Sequence, residues 1–211
     1  MGWNRPSGRG VKQIVRTIRG AVAAFAALAV VSACGVGQDG DTATTSSAVA
    51  EEPGNPWDLP IEQRPPLFDP CAEIPIEAVE EGVGGPVEVN ELLARHKPGE
   101  IVVCGWRSRN VHLNVLATWK PREEYLVDPS FVVIDPEREL FGRSSLQLVE
   151  AGDHSASTCL QLFFTQAGTV WVKLDLVSGL NEFNGVPFAK ACNVLEKAIV
   201  PIARHLPEGD F

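Results

Sequence analysis

The longest apolar run in this 211-residue chain has 12 residues, Gly20 to Val31. A helix that crosses a bilayer needs about 20. Basic residues are also scarce: 18 Lys and Arg stand against 27 Asp and Glu, a formal charge of −9. That balance argues against a nucleic-acid partner and against electrostatic attraction to an anionic membrane. The chain has no Gly-x-Ser-x-Gly elbow, no His-Glu-x-x-His, no P-loop and no Gly-x-Gly-x-x-Gly. None of His96, His112, His154 and His205 lies at metal-ligand spacing from another. Asp153-His154-Ser155 is not a triad, because neighbours in sequence do not generally converge. Arg143-Ser144-Ser145 after Gly142 reads as a strand end or turn rather than a nucleophile site. The chain is therefore expected to be non-enzymatic, with no catalytic residue, no metal and no cofactor.

The charge is unevenly spread. Residues 1–33 hold five bases, Arg5, Arg9, Lys12, Arg16 and Arg19, and no acid. A basic start followed by a 12-residue apolar run is the pattern of a secretory signal. The run ends in Val31-Ser32-Ala33-Cys34, which resembles the bacterial lipobox. The resemblance implies that Cys34 is acylated and becomes the first mature residue. Two acyl chains anchor stably where one does not, so the expected location is the extracytoplasmic face of the cell membrane. Without residues 1–33 the chain carries 13 bases against 27 acids, −14.

Residues 35–66 are rich in Gly, Ser, Thr and Pro, with six acids facing Arg64. Such composition cannot bury enough apolar surface to offset chain entropy. Residues 34–66 are read as a lipidated, disordered tether. Trp57 is the exception: it either packs back onto the domain or is an isolated exposed aromatic. Residues 67–211 are long enough for one domain with its own core.

That domain contains Cys71, Cys104, Cys159 and Cys192, none in Cys-x-x-Cys spacing. In an oxidising compartment an even number predicts two disulfides. Four cysteines allow three connectivities; sequential pairing, Cys71–Cys104 and Cys159–Cys192, is preferred. Residues 74–82 read as a short helix started at Pro75 and stopped by Gly82, Gly84 and Gly85. Residues 101–107 and 111–119 form a hairpin signal around Ser108-Arg109-Asn110. Val111, Leu113, Val115, Ala117 and Trp119 share one face of its second strand. Phe131–Asp135 is a further strand, bounded by Asp-Pro steps. Thr158–Thr165 and Thr169–Leu176 form a second hairpin. A helix from about Pro187 puts Phe188, Ala191, Cys192, Leu195, Ile199, Ile202 and Leu206 on one face, with Pro201 kinking it. The expected fold is α+β: an antiparallel sheet with N- and C-terminal helices covering one face, each disulfide tying a helix to a strand. Phe163 and Phe164 must then point to opposite faces of one strand, so the face away from the helices needs a cover, a partner or a ligand.

Phe68-Asp69-Pro70-Cys71, Ile74-Pro75, Cys104-Gly105-Trp106, Cys159, and Cys192 in a helix closing at Leu206-Pro207 resemble the actinobacterial lipoprotein family of domain of unknown function 3558. The resemblance implies a surface lipoprotein of a mycobacterium-like or nocardia-like cell, with two disulfides and no assigned activity. The helix-to-strand disulfide layout is also similar to the extracytoplasmic sensor domains of mycobacterial receptor kinases, a likeness of fold that carries little functional weight. Arg107, Arg109, Arg122, Arg138 and Arg143 form a basic cluster that either pairs with surface acids or binds an anionic envelope glycolipid. The leading expectation is an interaction or sensor module held at the membrane through Cys34 and docking on an envelope protein. The alternative is a carrier of an apolar or amphipathic ligand between sheet and helices.

Overall fold

The computed structural model describes residues 54–211. The expected signal segment, Cys34 and the front of the expected tether lie outside the described residues. Helix α1 (Pro70–Glu73) and helix α2 (Ile76–Val83) lead into strands β1 (Glu88–Val89), β2 (Arg95–Lys97), β3 (Ile101–Arg107) and β4 (Val111–Thr118). Helix α3 (Arg122–Leu126) comes next, then β5 (Phe131–Leu140), β6 (Arg143–Glu150), β7 (Thr158–Thr165) and β8 (Gly168–Leu176). Helices α4 (Ala191–Ala198) and α5 (Val200–Ala203) close the fold. All pairings are antiparallel, in the order β1-β3-β4-β8-β7-β6-β5, with β2 also on β3.

The α+β reading holds. On one face Val102, Cys104 and Trp106 of β3 join Val111, Leu113, Val115 and Ala117 of β4. Val170, Val172 and Leu174 of β8 and Phe163 of β7 complete that side of the core, under Leu195, Ile199 and Ile202. Ala78, Val79 and Val83 of α2 belong to the same cluster. Gly82 lies inside α2, and the helix ends at Gly84, which takes the left-handed conformation (φ 75°). Gly82 does a different job from the stop expected of it: a Cβ there would sit 2.2 Å from the carbonyl oxygen of Ala198. Only glycine lets α2 cross the end of α4 this closely. Cys71 bonds to Cys104 and Cys159 to Cys192, each joining a helix to a strand across 33 residues of sequence.

Several expectations are corrected. The ordered domain starts before residue 67. Trp57 packs edge-on against Trp119 with ring centroids 5.0 Å apart and donates its indole N–H to the Thr165 carbonyl at 3.1 Å. The Arg64 guanidinium lies over both rings, 5.8 and 5.1 Å from their centroids, and donates to the Leu59 and Trp57 carbonyls. Composition misses this strap because its burial rests on a few residues. Strand β5 runs through Pro136, with register irregularities between Val133 and Arg138. An edge strand tolerates proline because its outward N–H has no ladder partner to lose. The last helix begins at Ala191, not near Pro187: Phe188 has φ 60° and is 77% exposed, and its N–H donates to the Leu180 carbonyl. The break at Pro201 is present, with α4 ending at Ala198 and α5 starting at Val200.

Candidate functional site

The second face of the sheet is half covered. Leu146, Leu148, Leu160, Leu162 and Phe164 are buried there with Tyr125 of α3, and Arg122 lies 5.3 Å over the Phe164 ring. This is the cover that Phe164 required. Burial, then the Asp128 and Glu124 carboxylates, push the Tyr125 phenol above its ordinary range. The β3–β4–β8 half of the same face stays open: Ile101, Val103, Leu116 and Trp171 are all partly exposed.

Strand pairing builds this open half in rows. His112 faces Asp175, Asn114 faces Lys173 and Leu116 faces Trp171 across β4 and β8. The Lys173 ammonium sits 2.6 Å from Glu150 and 3.0 Å from Asp175, and Asn114 donates to Asp175 at 3.3 Å. Burial works against charge on Lys173, but Glu150 and Asp175 outweigh it and raise its pKa. Burial raises the pKa of Asp175 despite Lys173. Two carboxylates thus share one cation.

Beside this row lies a groove of about 170 Å³ lined by Leu93, Val103, Asn114, Leu116, Trp171 and Lys173. Gly105 makes room for it: a Cβ there would meet the Asn114 Oδ1 at 2.7 Å and the Leu93 Cβ at 3.1 Å. The Asn114 Oδ1 and the Trp171 Nε1 are both buried without a hydrogen-bond partner among the described residues. Leaving such a group unpaired costs about 1–3 kcal/mol. The groove therefore has an apolar floor, and two residues of its lining each hold one buried, unpaired polar atom, an acceptor on Asn114 and a donor on Trp171. A larger hollow of about 810 Å³ near Phe211 has only Asn55 and Gln166 as polar side chains, and both are exposed.

The other expected site residues are dispersed. Arg107 pairs with Glu88, Arg138 with Glu196, and Arg143 donates to the Pro207 carbonyl. Arg122 donates to Ser144 and the Pro136 carbonyl. Arg107 and Arg109 flank the β3–β4 turn while the other three stand around β5 and β6, so the five do not form one patch. Ser145 is fully buried and donates to the Arg138 carbonyl. Asp153 accepts from Ser155, Ser157 and Thr158, which ties down its loop. Trp106, Trp119 and Phe163 are core, as aromatic residues on strands usually are; Trp171 is not. Asn114, Lys173 and Asp175 were visible only as the polar faces of two strands. Nothing in sequence shows that those strands are neighbours.

Fold and groove define an antiparallel α+β domain, stapled twice by disulfides, with a groove on its open sheet face. The chain belongs to the family of proteins of unknown function DUF3558, whose match covers residues 29–199. No curated protein and no solved structure matches it.

Proposed function

We propose that the mature protein is a non-enzymatic binding module, held outside the cytoplasmic membrane by acyl chains on Cys34, that engages an envelope protein through the groove at Trp171. The observation that carries this is the pair of buried polar atoms without partners among the described residues, Asn114 Oδ1 and Trp171 Nε1, beside partly exposed Leu116 and Val103. A peptide amide offers both an N–H and a carbonyl, and so suits a site with one free acceptor and one free donor. Anchoring rests on Val31-Ser32-Ala33-Cys34, which the family match takes in.

The test is crosslinking in intact cells followed by affinity capture, comparing wild type with Trp171→Ala and Asn114→Ala. A reproducible partner should be captured by wild type and lost or strongly depleted in both variants. Capture of nothing reproducible, or of the same partner by all three, would overturn the groove. Separately, Cys34→Ser should leave the exported protein out of the membrane fraction, and retention there would overturn the anchor.

A further inference from the structure

On the helix side of the sheet, a second cleft of about 290 Å³ opens between the β5–β6 turn and α5. Its floor is buried Phe163, Leu206 and Ala203. Its apolar rim is Phe141 and Val200, 46% and 54% exposed. The remaining lining residues are Arg143 and Arg204, and no carboxylate among the described residues lines the cleft. In a domain that carries −9 from residue 67 onward, a hollow lined by cations and apolar groups alone stands against the average surface.

Two acids lie near the cleft, and one of them touches a lining cation. Glu81 pairs with Arg204 at 3.0 Å, with both side chains more than half exposed. Such a pair contributes little and is readily exchanged. Asp210 accepts the backbone N–H of Ser144. Arg143 donates one N–H to the Pro207 carbonyl at 2.7 Å and has no carboxylate partner among the described residues. A guanidinium has five N–H donors, so most of its donors stay available.

Phe141 adds an independent sign. It holds a left-handed φ of 57° in the turn before Gly142, where Asn would be at ease. An aromatic residue there is strained, and such strain concentrates at ligand sites. The chain keeps an exposed ring on this rim at a conformational cost.

We propose that this cleft binds a single-chain amphiphile with an anionic head, the head on Arg143 and Arg204 and the chain against Phe163, Phe141 and Val200. At about 30 Å³ per water-sized group, the cleft takes about ten such groups. That suits one chain segment beside a head and not a whole two-chain lipid. The site is separate from the Trp171 groove and stands whether or not that groove binds a protein.

The experiment is calorimetric titration of the exported chain carrying Cys34→Ser, so that no acyl chain of its own competes. The probes, each kept below its micelle concentration, are decanoate, decyl phosphate, decyl maltoside and inorganic phosphate. Decanoate and decyl phosphate should bind one to one, and their ranking tells a carboxylate head from a phosphate head. Decyl maltoside and inorganic phosphate should each bind at least tenfold more weakly than the better anionic amphiphile. Arg204→Gln and Arg143→Gln should each weaken the anionic probes several-fold, leave decyl maltoside unchanged, and melt like the parent. Arg204 is exposed, so its variant stays readable even where Arg143→Gln misfolds. Equal affinity for decyl maltoside, equal affinity for inorganic phosphate, or no effect of Arg204→Gln would each overturn the proposal.

Discussion

Replacing Gly82 by alanine sets two effects against each other, and the structure decides the sign. In an exposed helix interior, Gly→Ala stabilises by roughly 1 kcal/mol through backbone entropy. Here the new Cβ would lie 2.2 Å from the Ala198 carbonyl oxygen and 3.1 Å from its carbon. Carbon and carbonyl oxygen approach to about 3.3 Å at closest, so α2 and the end of α4 must part by about 1 Å. The obstruction is backbone, which cannot rotate away. Parting the helices loosens Val79, Val83, Ala198 and Ile202, all now buried. A gap of that size forfeits a quarter to a half of each dispersion contact. Overpacking costs about 1–3 kcal/mol; a backbone clash belongs at the upper end. The net loss is about 2 kcal/mol. For a domain of this size that lowers Tm by about 4–8 °C, read by circular dichroism under non-reducing conditions. Gly85→Ala is the control, because a Cβ there meets nothing within 4 Å. A Gly82→Ala protein melting at or above wild type, with the control unchanged, would refute the close-crossing argument.

Removing the second disulfide as Cys159→Ser with Cys192→Ser frees a loop of 33 residues of separation and should cost about 3–4 kcal/mol in a urea titration. Trp57→Ala loses the edge-on contact with Trp119 and the bond to Thr165. These contribute about 1 kcal/mol each, so a drop of about 2 kcal/mol is expected; an unchanged midpoint would place the strap outside the cooperative unit. Burial alone would raise the pKa of Asp153, but hydrogen bonds from Ser155, Thr158 and Ser157 hold it well below the usual carboxylate range. Its folded pKa is depressed, so its contribution is present above the ordinary value of 3.8 and is lost as pH falls below it. Asp153→Asn should therefore melt below wild type at pH 7, with the difference narrowing steadily as pH falls from about 4 toward 2. A constant gap across that range would show that the carboxylate's charge does not stabilise its loop.

Where a strand buries one face, the sequence shows it. Val111, Leu113, Val115 and Ala117 alternate with His112, Asn114 and Leu116, and β4 is where expected. Strand β7 is buried at every position, so alternation is lost and only its length and its Ala167-Gly168 turn mark it. Strand β6 was missed beyond its first residues, because Leu146, Gln147 and Leu148 give no clean period; both faces are buried, one against Leu160 and Leu162, the other around Gln161. Residues 55–66 were missed because one tryptophan and one arginine hold them, and a composition average dilutes two residues. Neither candidate site was legible as a site. Trp171 and Asn114 are 57 positions apart in sequence and meet only because β8 folds back beside β4, on the side away from β3. Arg143 and Arg204 meet only because α5 returns over the β5–β6 turn.

The two sites lie on opposite faces of one sheet and share no lining residue. Leu162 and Phe163 are adjacent on β7 yet project to different faces, so the sheet itself is the wall between them. Effects at sites without shared partners add. Trp171→Ala should therefore leave decanoate affinity unchanged, and Arg204→Gln should leave partner capture unchanged. The wall is stiff: Val172, Leu174, Leu160 and Leu162 are fully buried, and close-packed interiors transmit strain rather than absorb it. An amphiphile that widened the cleft by displacing Phe163 would push on that layer, and capture at Trp171 would then change with added decanoate. Additivity is the expected result, since Phe163 already forms a buried floor and need not move. A change in capture on adding decanoate to wild type, absent in Arg204→Gln, would refute independence and show the two faces to be coupled through β7.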